Sequence, residues 1–407
     1  MTTIALVLSA RARSVAIIAS AALALTACGP SGGQLAANPP SFAAPVKPVQ
    51  AEPLAGEAQA VMGSGPVRVA LILPLTQGAA PSVVGRSLRN AAEMALAESG
   101  GADLTVLVKD DRGTPDGARA AVEAAAAEGA ELYIGPLFAA DVREVGRAAR
   151  NANRPVIAFS TDTSTAARGV YLLSFLVENY VDRIVDYAAA RGKKSFAALV
   201  PENEYGNLAL AAFQQATARK GVRVQSIERY QPGQADASVQ RIAALGDQID
   251  ALFIPEQAEA MAGLSRQLTA AGLVGRVQIL GTGVWNDARA TKLPALQGAW
   301  FATPENGGFN AFAQRYRTKF GSDPTRIATL AYDAVSLTAA LARTQGAQRF
   351  NEQVLTNPSG FNGADGVFRF RPDGQNERGL SVQQIGEGST TTLSPAPRSF
   401  TGVASAQ

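Results

Sequence analysis

The chain has 407 residues, 47% of them hydrophobic, with 37 basic and 34 acidic side chains, one cysteine and no histidine. That composition excludes Ser-His-Asp and Cys-His nucleophiles, histidine-ligated zinc, cysteine-rich metal sites and any disulfide within the chain. The near balance of charge, with no basic run interleaved with aromatics, argues against a nucleic-acid partner. The expectation is a non-catalytic protein without metal or cofactor.

Arg11 and Arg13 precede an apolar stretch from Val15 to Leu25, and Leu25-Thr26-Ala27-Cys28 follows. A charged start, a short apolar run and a small-residue cut site make residues 1–27 a signal peptide. The run ending in Cys28 is the cleavage and acylation box of a bacterial lipoprotein precursor. About eleven apolar residues are too few to span a bilayer. Cys28 then carries the lipid, and several acyl chains together make a stable membrane anchor. Gly29, where an acid often retains lipoproteins in the inner membrane, favours the outer one. Residues 28–66, rich in Pro, Ala and Gly, read as a disordered spacer averaging about 35 Å end to end.

From Val67 the pattern changes. Apolar runs at 67–73, 104–108, 131–134, 155–159 and 171–173 alternate with helical periods at 82–98, 115–128 and 139–151. Thr114 is placed to cap the second of these helices, with Pro115 at its first position and Asp116 at its positive end. Lys109-Asp110-Asp111-Arg112 therefore reads as a strand end and loop rather than as a metal or acid/base site. The alternation restarts with helices at 179–191, 205–220, 236–246 and 257–271 and strands at 195–200, 222–229, 250–254 and 276–280. Two helices follow at 309–320 and 326–343. A hairpin-like pair, Gly366 to Phe370 and Leu380 to Ile385, closes through Pro372-Asp373-Gly374. Residues 387–407, rich in Ser, Thr and Pro, read as a loose tail. Repeated strand–helix alternation is the mark of parallel sheets. Two such sets predict an α/β fold of two lobes, each a mostly parallel sheet flanked by helices, with a cleft between them.

In open parallel sheets ligands bind beyond the carboxyl ends of the strands. The loops there carry Thr76 and Gln77, Ser160 and Thr161, Tyr205, Glu256, Thr282 and Trp285. Hydroxyls and free amides at helix starts can hold an anionic group, Glu256 an amine, and Tyr205 or Trp285 an apolar part. Each residue also has a plainer reading: Ser160 and Thr161 as caps, Glu256 as an acid at a helix start, Trp285 as packing.

At these loops the chain resembles the leucine-type, or type I, periplasmic binding proteins. The resemblance is carried by Val69-Ala70-Leu71-Ile72-Leu73-Pro74-Leu75, Leu132-Tyr133-Ile134-Gly135-Pro136-Leu137, Pro155-Val156-Ile157-Ala158-Phe159-Ser160 and Ala331-Tyr332-Asp333-Ala334-Val335. It implies three crossings between lobes, near 174–178, 300–304 and 345–350. Lobe 1 would then be 67–174 with 303–346, and lobe 2 would be 175–302 with 347–386. Other segments are similar to the penicillin-binding protein activator lipoproteins: Gly135-Pro136-Leu137-Phe138-Ala139, Ala158-Phe159-Ser160-Thr161-Asp162, Leu280-Gly281-Thr282-Gly283-Val284-Trp285 and Phe368-Arg369-Phe370-Arg371-Pro372-Asp373-Gly374. That second likeness implies a tethered regulator that contacts a peptidoglycan synthase. The alternative is a lipid-anchored solute receptor that delivers an amino-acid-like ligand to an ABC permease. Against an amino acid, Asp162 would stand uncompensated in the loop expected to meet the ligand's carboxylate.

Overall fold

The computed structural model describes residues 61–101 and 103–400. The expected signal peptide, Cys28 and most of the expected spacer lie outside the described residues. The chain first runs through β1 (Val61–Met62), β2 (Val67–Leu73), the small hairpin β3 (Thr76–Gln77) and β4 (Ala80–Pro81), α1 (Val83–Glu98), β5 (Leu104–Asp110), α2 (Pro115–Ala127), β6 (Tyr133–Ile134), α3 (Ala139–Asn151), β7 (Val156–Ala158) and β8 (Val170–Leu172). The first sheet has the order β1-β5-β2-β6-β7-β8, parallel except at β1.

The near-unbroken apolar run of β2 is explained by burial on both faces. Val69, Leu71 and Leu73 join one core, and Ala70 and Ile72 the other. Ser82 Oγ accepts the Gly85 amide at 3.0 Å to start α1, and Thr114 caps α2 in the same way with Pro115 following. β1 corrects the expected spacer boundary. Residues 61–62 lie where composition implied coil, because they pair with Val106 and Leu107 of β5.

The second set comprises α4 (Val177–Ala190), β9 (Ser195–Pro201), α5 (Glu204–Lys220), β10 (Arg223–Tyr230), α6 (Asp236–Ala244), β11 (Ala251–Phe253), α7 (Ala258–Ala270), β12 (Gln278–Gly281), α8 (Ala288–Thr291) and β13 (Trp300–Thr303). Then come α9 (Asn306–Phe320), α10 (Ala328–Thr344), α11 (Glu352–Leu355), β14 (Phe361–Gly363), β15 (Gly366–Phe370), β16 (Asn376–Arg378), β17 (Ser381–Gly386) and β18 (Ser389–Ser394). The second sheet has the order β10-β9-β11-β12-β13-β17-β18, parallel until the antiparallel β17 and β18. In both sheets the first long strand is flanked on each side by later ones. The doubly wound order puts a switch point at the ends of β2 and β9.

Three expectations near the C-terminus are corrected. Residues 347–378 belong to lobe 1 and not lobe 2, since Phe350, Leu355, Phe368 and Phe370 share its core and Phe370 lies 5.3 Å from Tyr171. The third crossing therefore falls at Gly379–Leu380 and not near 345–350. The expected hairpin of 366–370 with 380–385 does not form. β15 turns back onto β16, whereas β17 runs beside β13 in the other lobe. Alternating aromatics mark a strand with one buried face without saying whose core that face meets. The expected loose tail is also ordered as far as Phe400. Thr390 to Thr392 pair with β17, and Phe400 packs on Gly360 with the Arg369 guanidinium 4.5 Å above its ring.

Candidate functional site

At the lobe 1 strand ends the polar residues hold the loops. The Asp110 carboxylate accepts the amides of Leu75 (3.0 Å), Thr76 (3.2 Å) and Arg112 (2.8 Å) and the Thr76 hydroxyl (2.6 Å). Thr76 is thereby fixed at the switch point, and Gln77 beyond it is exposed. Ser160 is buried, with its Oγ accepting the Asp162 amide at 3.1 Å, and Thr161 faces solvent. Asp162 is not the uncompensated acid expected. Hydrogen bonds from Ser164, with Arg143 2.8 Å away, hold its carboxyl below the usual range.

Lobe 2 uses its strand-end groups on one another. The hydroxyls of Tyr205 and Thr282 meet at 2.6 Å. Glu256 Oε2 accepts the Tyr230 phenol at 2.6 Å, and its Oε1 accepts the Gln257 amide at 2.7 Å. The Trp285 indole donates to the Glu256 carbonyl at 2.9 Å. Glu256, Thr282 and Trp285 are all buried, and burial pushes the phenols of Tyr205 and Tyr230 far above their ordinary value. Thus the structure joins Tyr205 to Thr282 and Glu256 to Trp285, while Thr76, Gln77, Ser160 and Thr161 stay apart from them.

None of these eight residues lines the cavity of 480 Å³ that opens between the lobes. Phe175, Phe309, Asn310 and Arg326 enter it from the lobe 1 side, and Tyr180, Val284 and Asn286 from lobe 2; Thr303 and Pro304 of the second crossing also contribute. Asn286 and Asn306 bridge its rim with an amide hydrogen bond of 2.6 Å. Gly283 is needed beneath Tyr180, since a Cβ there would stand 2.6 Å from the ring. Sequence reasoning missed most of this wall because its residues lie on crossings, within α4 and α9 and just before α10. Gly283 and Val284 belong to a strand-end loop that had drawn notice, and Asn286 follows it.

Behind the cavity lies a cluster of charge. Arg326 makes a two-pronged pair with the fully buried Asp365 (2.9 and 2.7 Å), and its guanidinium stacks on Phe309 (4.5 Å) and Phe175 (4.6 Å). The buried Arg378 stacks on the same Phe175 at 4.7 Å and donates from Nε to the Ser174 carbonyl at 3.0 Å; Nη1 and Nη2 have no partner. Asp333 Oδ1 accepts the Ala364 amide at 2.6 Å, and Oδ2 is also without a partner. Burial raises this carboxyl to about 7, against the pull of Arg378. Behind the cavity, then, one guanidinium is paired with a carboxylate, and a second, Arg378, has two nitrogens without a partner. Among the described residues no group of acids and other metal-binding side chains fits a metal ion, and no helix is long and apolar enough to cross a membrane.

Comparison with known proteins places this architecture. A family model described as periplasmic binding protein matches residues 66–390. Among solved structures, a protein described as a branched-chain amino acid ABC transporter from Rhodospirillum rubrum is 20% identical, with a TM-score of 0.71 over 80% of this chain and 99% of that one. A solute-binding protein of an ABC transporter from Rhodopseudomonas palustris, in complex with 3,4-dihydroxybenzoic acid, is 20% identical with a TM-score of 0.56, covering 82% and 98%. An ABC transporter substrate-binding protein from Desulfitobacterium hafniense, in complex with leucine, is 17% identical with a TM-score of 0.57, covering 80% and 99%. No curated protein matches the sequence. Identities this low show the fold alone, a mixed α/β structure of two lobes. The match across 66–390 places the chain in the periplasmic binding protein family.

Proposed function

We propose that the protein is the solute-binding component of an ABC importer, working in the periplasm and tethered by lipid at Cys28. The observation that carries this reading is the 480 Å³ cavity, walled by both lobes and by a crossing segment. Its size suits a small ligand, and a ligand held by both lobes would close them about the crossings. Two of the solved structures named above hold leucine or an aromatic acid, and a cavity of this size admits either. A membrane permease would be the partner.

A second reading, a regulator that contacts a peptidoglycan synthase, is favoured by one observation. The strand-end residues expected to bind a ligand are mostly spent: Glu256 has both carboxylate oxygens occupied, and Tyr205 and Thr282 satisfy each other. The segments behind the activator resemblance also have structural duties, since Trp285, Phe368 and Phe370 are core residues. Thermal melting against a panel of small solutes separates the two readings. A solute receptor melts several degrees higher at ligand concentrations near a hundred times Kd, where linkage supplies about 2.7 kcal/mol. A regulator shows no shift with any member and is retained on an immobilised synthase.

A further inference from the structure

The cavity between the lobes has a one-sided chemistry. No carboxylate faces it: its polar lining consists of the amides of Asn286, Asn306 and Asn310, hydroxyls, and the guanidinium of Arg326. Arg326 commits Nη1 and Nη2 to Asp365, one hydrogen each, which leaves three of its five N–H donors, and its side chain keeps 38% of its surface exposed. One aromatic ring behind the wall, Arg378 adds a second buried cation whose Nη1 and Nη2 have no partner. A buried guanidinium in that state raises the potential of the space beside it, and water-poor surroundings strengthen the effect. The acceptor expected for an ammonium group, Glu256, is buried with both oxygens bonded, and Asp365 beside the wall is taken up by Arg326.

We propose that this cavity selects a small monocarboxylate that carries no ammonium group, with the carboxylate against Arg326 and an apolar body between Phe309 and Val284. An α-amino acid would have to strip its ammonium of water and find no anion in exchange, which costs more than the carboxylate gains. The inference rests on the solute-binding reading and narrows it to one ligand class.

The test uses pairs of probes that differ in one group. Leucine and 4-methylpentanoate differ only in the ammonium, and benzamide carries an uncharged NH2 where benzoate carries its second carboxylate oxygen. Isothermal titration of the full chain should give binding of 4-methylpentanoate or benzoate, with leucine and benzamide at least tenfold weaker. Asn310→Asp places a carboxylate on an exposed position of the wall and leaves the core alone. It should weaken the acid at least tenfold and weaken benzamide little. Binding of leucine ahead of 4-methylpentanoate, or an Asn310→Asp variant that binds acids as well as the parent, overturns the inference and leaves solute binding standing. No binding of either pair or of a wider solute panel overturns the solute-binding reading with it.

Discussion

The two lobes share a topology and both bond polar groups at their strand ends, but lobe 1 also holds two buried acids with an unbonded oxygen. In lobe 2 the buried groups at the cleft form closed pairs, Tyr205 with Thr282 and Tyr230 with Glu256, and Trp285 donates into the same network. In lobe 1 the buried acids Asp111 and Asp141 each leave Oδ2 without a partner, and they repel each other. Burial lifts the Asp111 carboxyl to about 7 and that of Asp141 to about 6. Lobe 1 therefore keeps, beside loop-holding acids such as Asp110, two buried carboxyls raised toward neutral pH, whereas the lobe 2 strand-end groups just named are paired.

Four experiments break or sharpen this contrast. The largest effect is expected at Trp285, which is fully buried in lobe 2. Trp285→Ala should cost about 3–5 kcal/mol in denaturant unfolding, from lost burial and the cavity left behind. A cost under about 1 kcal/mol would show that lobe 2 is not held by this closed network.

Next comes the pH dependence of lobe 1. Between about pH 4 and 7 the folded chain keeps protons on Asp111 and Asp141 that the unfolded chain releases. Their stabilising contribution is therefore full below pH 4 and falls as pH rises through 6 and then 7. The shift at Asp141 corresponds to about 3 kcal/mol across that window. Asp333, raised for the same reason, adds a loss of the same sign. Unfolding measured from pH 4 to pH 8 should show this downward slope, and Asp111→Asn with Asp141→Asn should flatten it. A slope unchanged in the double variant would remove the contrast between the lobes.

At the cavity, Gly283→Ala forces the new methyl against Tyr180, at an expected cost of about 1–3 kcal/mol. A melting profile matching the parent would mean that Tyr180 is free to move and does not define the wall. The smallest effect is Tyr205→Phe, which removes one hydrogen bond to Thr282 and should cost about 0.5–1.5 kcal/mol, with no change in the pH slope.

Much of the fold was legible from local pattern. β2 reads as a buried strand because Val67 to Leu73 is apolar on both faces, and α2 announces itself through Thr114, Pro115 and Asp116. The site was far less legible. Trp285 and Glu256 were flagged because they follow strands, yet the indole seals a core and the carboxylate meets Tyr230, 26 residues before it in the chain. Arg326 and Phe175 gave no local signal, because they stack on each other from positions more than a hundred residues apart in sequence.

The sequence by itself determined the two strand–helix sets, their caps and the exclusion of histidine and thiol chemistry, since these follow from periodicity and residue type within a few residues. Only the tertiary structure decided that residues 347–378 serve the first lobe, that the tail from 389 to 394 is a sheet edge and that Arg326 faces the cavity. Those outcomes depend on which distant surfaces share a core, and an apolar or charged face does not name its partner.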